Sequence, residues 1–553
     1  MTDVRTNQLR SPTSHQFSGT DVWQLVLLRA ARSAQQPYLI WHPYAGEPTT
    51  WTFGELAREA AAVGAGLVGR GVRAGDRVLI HLENSPEFVI AWYACAAIGA
   101  VAVTTNTRSV KDELAYYAED CRAVGAITQP AFAELVSASA PGLRWQVVID
   151  HNAGQPADDA GADDRFATLY GDPDMLPKRA VDPMAAMSVQ YTSGTTSRPK
   201  GVLWNHANAL WGARVNAVHE DLHPQDCHLA YMPLFHTNAL AYSMLASMWV
   251  GSRFVVVPKW STSRFWEVSH RHGCTWLSLM GLSFRALAAI DAAPEHSYRL
   301  FGTGLCDTPI DERYGVKTIG WWGMTETISH GVVGSPYTPD RPLSMGRPAP
   351  EYGIAVVRDD GVTPVEAGET GHLLVHGTRG LSLFVEYLNQ PQATADSFDE
   401  WGWFRTGDLV TVHADGYLSF ADRAKDMLKV GAENVAASEI ERVILETGLV
   451  VEAAVVARPD DALDEVPVAF VVAREGGAEA AERILASCAE KLADFKVPRA
   501  VYLLRELPRS TLNKVNKVEL RNVAAPDADR ASAERRWLVE ARSDPSGDTP
   551  GPR

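Results

Sequence analysis

The sequence predicts an α/β protein in two parts: a large N-terminal domain of layered sheets and helices with a β-rich subdomain, and a small α+β C-terminal domain. Three observations predict it. Helical and strand-like patterns alternate from about residue 52 to 257, the mark of parallel strands covered by helices. Turns rich in Gly, Pro and Asp between 330 and 372 indicate a more β-rich stretch. Near Asp422 the pattern restarts as a capped helix followed by strands, and 553 residues exceed what one compact core usually holds.

The elements follow in order. Thr52-Phe53-Gly54-Glu55 has the form of a capping box, and the Ala/Leu/Val pattern behind it runs to Gly71, giving a helix over about 53–70. Strand-like Arg77-Val78-Leu79-Ile80-His81-Leu82 precedes Ser85-Pro86-Glu87, where Ser85 can cap a helix and Pro86 can take its first position. The longest apolar stretch, Phe88 to Val103, is shorter than the roughly 18–20 residues of a membrane span and contains Gly99. It reads as a buried helix running into a strand. Val147-Val148-Ile149 and Phe254-Val255-Val256-Val257 continue the strands, and the large domain covers 1–422. The small domain, 423–530, opens on the capped helix at Ser438-Glu439-Ile440-Glu441 and continues with strands at Ala453-Ala454-Val455-Val456 and Val468-Ala469-Phe470-Val471-Val472. The polar, Pro/Gly-rich residues 531–553 are expected to form a disordered tail.

Composition excludes several classes. The net charge of −16, from 51 basic and 67 acidic residues, comes without any Lys/Arg-rich run, so nucleic acid is not an expected partner. The six cysteines are dispersed, without the close pairs of a zinc site or the density of a secreted disulfide scaffold, and a reducing cytoplasm is expected. The N-terminus lacks the basic segment and apolar core of a secretory signal.

The strongest local signal is Tyr191-Thr192-Ser193-Gly194-Thr195-Thr196-Ser197-Arg198-Pro199-Lys200-Gly201, which follows strand-like Met187-Ser188-Val189-Gln190. Several hydroxyls, free backbone amides and one ammonium suit a triphosphate, which needs many donors and charge compensation. No Gly-Lys-Ser/Thr ends the loop, so it is not a Walker loop, and by composition alone it could also be an ordinary polar turn.

This loop resembles the phosphate loop of the adenylate-forming superfamily of acyl-CoA synthetases, peptide-synthetase adenylation domains and beetle luciferases. The resemblance runs from about Trp51 to Arg521, with further motifs in order. It implies that Thr192, Ser193, Gly194, Thr195, Thr196 and Lys200 bind ATP phosphates. Trp321-Trp322-Gly323-Met324-Thr325-Glu326 is similar to the family's aromatic-Gly-x-Thr-Glu segment. That likeness implies Trp322 on adenine, Gly323 and Met324 beside the nucleotide, Thr325 at the α-phosphate and Glu326 on Mg2+, whose preference for oxygen suits a carboxylate. Phe404-Arg405-Thr406-Gly407-Asp408 resembles the ribose motif, with Asp408 accepting from both hydroxyls. Asp422-Arg423-Ala424-Lys425 implies Arg423 as a second ribose contact and Lys425 as the hinge of a mobile C-terminal domain. Leu507-Pro508-Arg509-Ser510-Thr511-Leu512-Asn513-Lys514 resembles the loop of the catalytic lysine, which falls on Lys514.

The resemblance implies two half-reactions. The acid attacks the α-phosphate to give an acyl-adenylate and pyrophosphate; a thiol, expected to be coenzyme A, then takes the acyl group, with Lys429 and Gly431 along its tunnel. Pro233-Leu234-Phe235-His236 bears on the acid: amino-acid-activating relatives have Asp where His236 stands, so an α-amino acid is disfavoured. His236 is expected where acyl pocket and tunnel meet, unless it is a hydrogen-bonded core histidine. Gly302-Thr303-Gly304 resembles the strand along which acyl group and adenine lie, Gly304 nearest the nucleotide. Trp204, Trp211, Met244, Met248 and Trp249 suggest walls for a hydrophobic acid, although such residues are more often core. Ser197 and Asn513 replace glycines usual in the family; a required positive φ would suit Asn better than Ser.

The expected activity is therefore ATP-dependent acyl-CoA synthesis, with a possible homodimer. Its rivals are an adenylating enzyme that loads a carrier protein's phosphopantetheine and luciferase-like oxidation of the adenylate.

Overall fold

The computed structural model describes residues 16–157, 164–192, 198–288, 290, 294–423, 427–431, 433–474, 478–508, 515, 517–524 and 537–540. The chain divides into two compact units. The first comprises residues 1–107, 117–191 and 201–424; the second takes 425 onward together with two earlier excursions, Arg108–Tyr116 and Thr192–Lys200. Arg108–Tyr116 joins the second unit by long-range packing, which no contiguous reading of the sequence foresees.

The local signals act as the sequence suggests. Thr52 and Glu55 form a reciprocal capping box, each side chain accepting from the other's backbone N–H, and the helix covers Phe53–Gly69. Ser85 Oγ accepts from the Phe88 amide at 3.2 Å, and Pro86 occupies the first turn of helix Pro86–Ile98. Every residue of that helix except Glu87 is buried, as expected of a helix that is apolar all round. Gly99 turns out of it at φ 74, and the chain enters strand Val101–Thr104. Among the described residues no helix is long and apolar enough to cross a membrane.

Two layered sheets dominate the first unit. One runs, by strand, Arg347–Pro348, Val332–Val333, Lys317–Trp322, Leu300–Thr303, Trp276–Ser278, Cys227–Ala230, Arg253–Val256, Pro37–Trp41, Thr49–Thr52. From Lys317–Trp322 to Pro37–Trp41 its pairings are parallel, with antiparallel strands added at each edge. The second runs Glu386–Tyr387, Lys200–Asn205, Ala186–Thr192, Val101–Thr104, Arg77–His81, Ala123–Thr128, Gln146–Val148. One apolar core, including Phe53, Trp92, Trp204, Phe254 and Phe301, joins these layers. The β-rich section is a four-stranded antiparallel sheet, Gly353–Val357, Thr370–His376, Trp403–Val412 and Leu418–Arg423.

In the second unit, strands Val450–Asp460 and Asp464–Ala473 pair antiparallel over their length. Their alternation feeds two apolar clusters: Val455, Ala469 and Val471 join Ile440 and Ile484, while Val456, Val468 and Phe470 join Tyr502 and Leu520. Buried Lys496 is bracketed by two carboxylates, Glu113 and, at 2.9 Å, Glu439. The helix assigned to start at Ser438 begins at Ala437, so Ser438 lies inside its first turn. A larger correction concerns the tail, where Trp537–Glu540 pairs antiparallel with Ala500–Leu503. Its own letters, Trp-Leu-Val-Glu, are mostly apolar, and the polar residues on either side concealed them.

Candidate active site

Strand Lys317–Trp322 lies between Leu300–Thr303 and Val332–Val333. Successive strand residues face opposite sides, so Trp321 and Trp322 serve different purposes. Trp322 is buried, and its indole Nε1 donates to Asp408 Oδ2 at 2.8 Å. Gly331 keeps one side of that ring clear, since a Cβ there would lie 3.0 Å from the indole. Asp408 belongs to strand Trp403–Val412 of the antiparallel sheet. It follows Gly407, whose φ of 78 requires glycine, and its amide donates to Thr406 Oγ1 at 3.1 Å. Arg423 is its cross-strand partner in register, which puts the two predicted ribose residues side by side. The Arg423 side chain lies outside the described residues.

Beyond Gly323 and half-buried Met324 the chain turns through Thr325 and Glu326. Glu326 is 4% exposed, and its Oε1 accepts from the Tyr387 hydroxyl at 2.9 Å. Burial raises the Tyr387 pKa well above its ordinary value, so the phenol remains a donor. Phe384 N–H donates to the Glu326 carbonyl, and Trp204 Nε1–H to the Thr325 carbonyl, both at 2.9 Å. Thr325 Oγ1 is 3.1 Å from Thr237 Oγ1, which in turn reaches Gln190 Oε1 at 3.0 Å. Ile328, fully buried, then adopts φ 62, a left-handed conformation costly for a β-branched residue. Its Cγ2 would lie 2.9 Å from a Cβ at Gly212, so it is a glycine that lets helix His206–His219 pass this close to it.

His236 is half-buried, its ring tilted against Phe235 at 4.7 Å between centroids. Asn84 fixes the approach to it, donating to the Met232 and Val257 carbonyls and accepting from the Leu234 amide. A π-helix, Asn238–Leu245, follows, an irregularity frequent at functional sites.

The two glycines of Gly302-Thr303-Gly304 differ. A Cβ on Gly302 would fall 1.7 Å from Trp321 and 2.5 Å from Trp276, so its smallness admits indoles, correcting the expectation that it clears space for an acyl group. A Cβ on Gly304 would meet nothing within 4 Å, which leaves its backbone open to a ligand. Of the Trp and Met residues weighed as pocket walls, Trp204, Met244 and Met248 are fully buried, in line with the core alternative, and Trp211 is tied by its Nε1–H to the Tyr352 hydroxyl at 3.1 Å. Trp249 packs edge-on to Phe17.

Thr192 ends strand Ala186–Thr192 and Lys200 begins strand Lys200–Asn205, so the predicted phosphate loop leaves one strand and enters another. Ser193, Gly194, Thr195, Thr196 and Ser197 lie outside the described residues, as do Lys425, Asn513 and Lys514. In the second unit Lys429 is exposed, its amide donating to Glu465 Oε2 at 2.7 Å. Gly431 turns at φ 63, its amide 2.5 Å from the Leu463 carbonyl.

Thus Trp322, Gly323, Met324, Thr325, Glu326, Asp408 and the Arg423 backbone gather in one region of the first unit. Sequence reasoning missed Tyr387, Thr237 and Gln190, whose roles depend on tertiary contacts and carry no local motif.

The chain matches the family model "AMP-binding enzyme" over residues 28–388 and "AMP-binding enzyme C-terminal domain" over 439–514. Crotonobetaine/carnitine–CoA ligase of Salmonella enteritidis is 33% identical over 468 residues, covering 82% of this chain and 89% of that one. A double mutant of o-succinylbenzoate CoA synthetase from Bacillus subtilis, bound to a product analogue, superposes with TM-score 0.75 at 27% identity, covering 91% of this chain and 98% of that one. The same Bacillus enzyme in complex with ATP and magnesium gives TM-score 0.63 at 27% identity, covering 91% and 99%.

Proposed function

The chain belongs to the AMP-binding enzyme family as an acid–thiol ligase, and from that premise we propose which of its residues carry each half-reaction and what acid it takes. The observation that bears most weight is the Trp322–Asp408 hydrogen bond, which joins the predicted adenine and ribose residues, with Glu326 four residues further along the chain.

Adenine stacks on Trp322 and the ribose hydroxyls donate to Asp408, with Arg423 beside it. The hydroxyls and amides of Thr192, Ser193, Gly194, Thr195 and Thr196, together with Lys200, hold the phosphates. Glu326 fits Mg2+: Mg2+ sites often combine one or two carboxylates with phosphate oxygens, and the Tyr387 hydroxyl orients this carboxylate by donating to its Oε1 at 2.9 Å. When bound, the ion neutralises charge on those oxygens. The acid's carboxylate oxygen attacks the α-phosphorus and the bond to pyrophosphate breaks; Lys514 offsets the charge that develops. The second unit turns about Lys425 for the thiol step, in which the sulfur attacks the acyl carbonyl and AMP leaves, with His236, Lys429 and Gly431 along the thiol's path.

Coenzyme A is the acceptor favoured by the relatives, both of them named for CoA chemistry. The acid has an apolar body, since His236 stands where an amino-acid-binding relative would carry Asp and the surrounding core is aromatic and aliphatic. Six free, buried cysteines are in keeping with the reducing cytoplasm.

The test is pyrophosphate release with Mg-ATP across fatty, aromatic and polar acids, followed by mass measurement of the thioester with coenzyme A or a phosphopantetheinyl carrier protein as acceptor. Acid-dependent pyrophosphate and AMP with a CoA thioester support the reading. Turnover with the carrier alone reassigns the acceptor, and no pyrophosphate with any acid defeats the reading.

A further inference from the structure

Three polar side chains meet where the nucleotide motif, the His236 segment and the strand that enters the phosphate loop come together. Gln190 lies on strand Ala186–Thr192, Thr237 directly follows His236, and Thr325 precedes Glu326. Gln190 and Thr237 are buried, whereas Thr325 is only half-buried. Its backbone is held by Trp204, whose Nε1–H donates to the Thr325 carbonyl at 2.9 Å, so the direction of its hydroxyl is what remains to be set.

Thr237 Oγ1 lies 3.0 Å from Gln190 Oε1 and 3.1 Å from Thr325 Oγ1. A hydroxyl carries one proton, so Thr237 donates to one of these neighbours and not to both. An amide oxygen only accepts. With that oxygen towards Thr237, the Thr237 proton goes to Gln190, and the Thr325 proton must point back at Thr237 to fill the remaining contact. Thr325 then offers a phosphate oxygen lone pairs, which repel it. The same arrangement leaves Gln190 Nε2 buried without a hydrogen-bond partner. A buried donor in that state is costly. A half-turn of the carboxamide removes both faults: Nε2 donates to Thr237, Thr237 donates to Thr325, and the Thr325 proton is released for an acceptor beyond. The group left over is a carbonyl instead of an N–H, the better tolerated of the two.

We propose that Gln190 and Thr237 are positioning residues for adenylate formation: with nucleotide bound, donation runs from Gln190 Nε2 to Thr237 to Thr325 and aims the Thr325 hydroxyl at the α-phosphate. The inference rests on the reading of Thr325 as an α-phosphate residue. Donors in series polarise one another, which strengthens the last bond, and that bond ends on a group where negative charge builds as the acid attacks.

The experiment reads kcat/KM for acid-dependent pyrophosphate release in the full-length enzyme, with an acid accepted in the panel above. Thr237→Val keeps the shape of the side chain and removes the relay; a fall of about tenfold or more is expected, the scale of a hydrogen bond to a charged group. Thr237→Ser returns the hydroxyl without the methyl and should restore most of the rate. Gln190→Glu replaces the donor by a carboxylate that holds the Thr237 proton, and should cost a similar factor. Added to Thr237→Val it should cost little more, because the relay it reverses is already gone, whereas a charge acting directly on the phosphates would cost the same in both backgrounds. Wild-type kcat/KM in Thr237→Val, or equal losses in Thr237→Val and Thr237→Ser, overturns the inference and leaves the ligase reading standing. So does a Gln190→Glu loss that is undiminished in the Thr237→Val background. The two Thr237 variants decide alone if Gln190→Glu does not fold. No pyrophosphate from the wild-type enzyme with any acid overturns the ligase reading and this inference with it.

Discussion

Trp322 and Asp408 meet through one hydrogen bond of 2.8 Å between an indole N–H and a carboxylate oxygen, across two different sheets. The contact couples the ring that takes the base to the group that takes the sugar. Trp322→Phe preserves the aromatic face but removes a donor from a carboxylate that is 3% exposed. A hydrogen bond to a charged group is worth about 1.5–3 kcal/mol, so the KM for ATP should rise about tenfold or more. An unchanged KM for ATP in steady-state pyrophosphate release would show that the contact does not orient Asp408.

Tyr387 plays the same part for Glu326, donating at 2.9 Å to a carboxylate that is 4% exposed. In Tyr387→Phe that oxygen loses its donor and the carboxylate its fixed orientation. The Mg2+ concentration for half-maximal activity should then rise about tenfold or more, the scale of a hydrogen bond to a charged group, with a lower melting temperature. Metal titration of the two enzymes checks this, and identical curves refute it.

Lys514→Ala separates the half-reactions. Loss of the cation at the developing phosphate charge should lower acid-dependent pyrophosphate release by about a hundredfold or more. Thioester formation from a supplied acyl-adenylate should persist. If both steps fell together, Lys514 would have a structural role instead.

Acid should unfold this protein through its buried imidazoles. Burial lowers His81 and His228 to about 3 and His206 to about 4. The unfolded chain takes up protons as pH falls below about 6.5, while the folded chain refuses them until these lower values. The stability they contribute is complete above pH about 6.5 and shrinks as pH falls from there, by roughly 2 kcal/mol per histidine at pH about 5. Urea unfolding at pH values between about 7 and 5 reads the slope. His228→Phe, which keeps a ring against Trp276, should remove about one proton from it, and an unaltered slope counts against the linkage.

Legibility in the sequence followed the range of the interaction. The Thr52–Glu55 capping box and the Ser85–Pro86 helix start close within a few residues, so their letters sufficed. Trp322, Glu326 and Asp408 stood out because each sits in a short motif, yet nothing local told that Trp322 donates to Asp408 or that Tyr387 backs Glu326. Glu220 lies in none of the sequence motifs, and only the fold shows that it is sealed from water. Gly302 was misassigned because a small residue in a strand can make room for a ligand or for a neighbouring side chain, and here Trp321 and Trp276 take the room.

Ile328 carries a different kind of information. A β-branched residue in left-handed backbone costs about 1–2 kcal/mol, which the surrounding packing, the close-passing helix at Gly212 included, must offset. The turn bearing Glu326 is therefore a sprung part whose tension is released as soon as its clamp loosens. On warming, catalysis should fade before the fold melts. The bend that positions Glu326 is then expected to lose its shape at a lower temperature than the sheets that flank it.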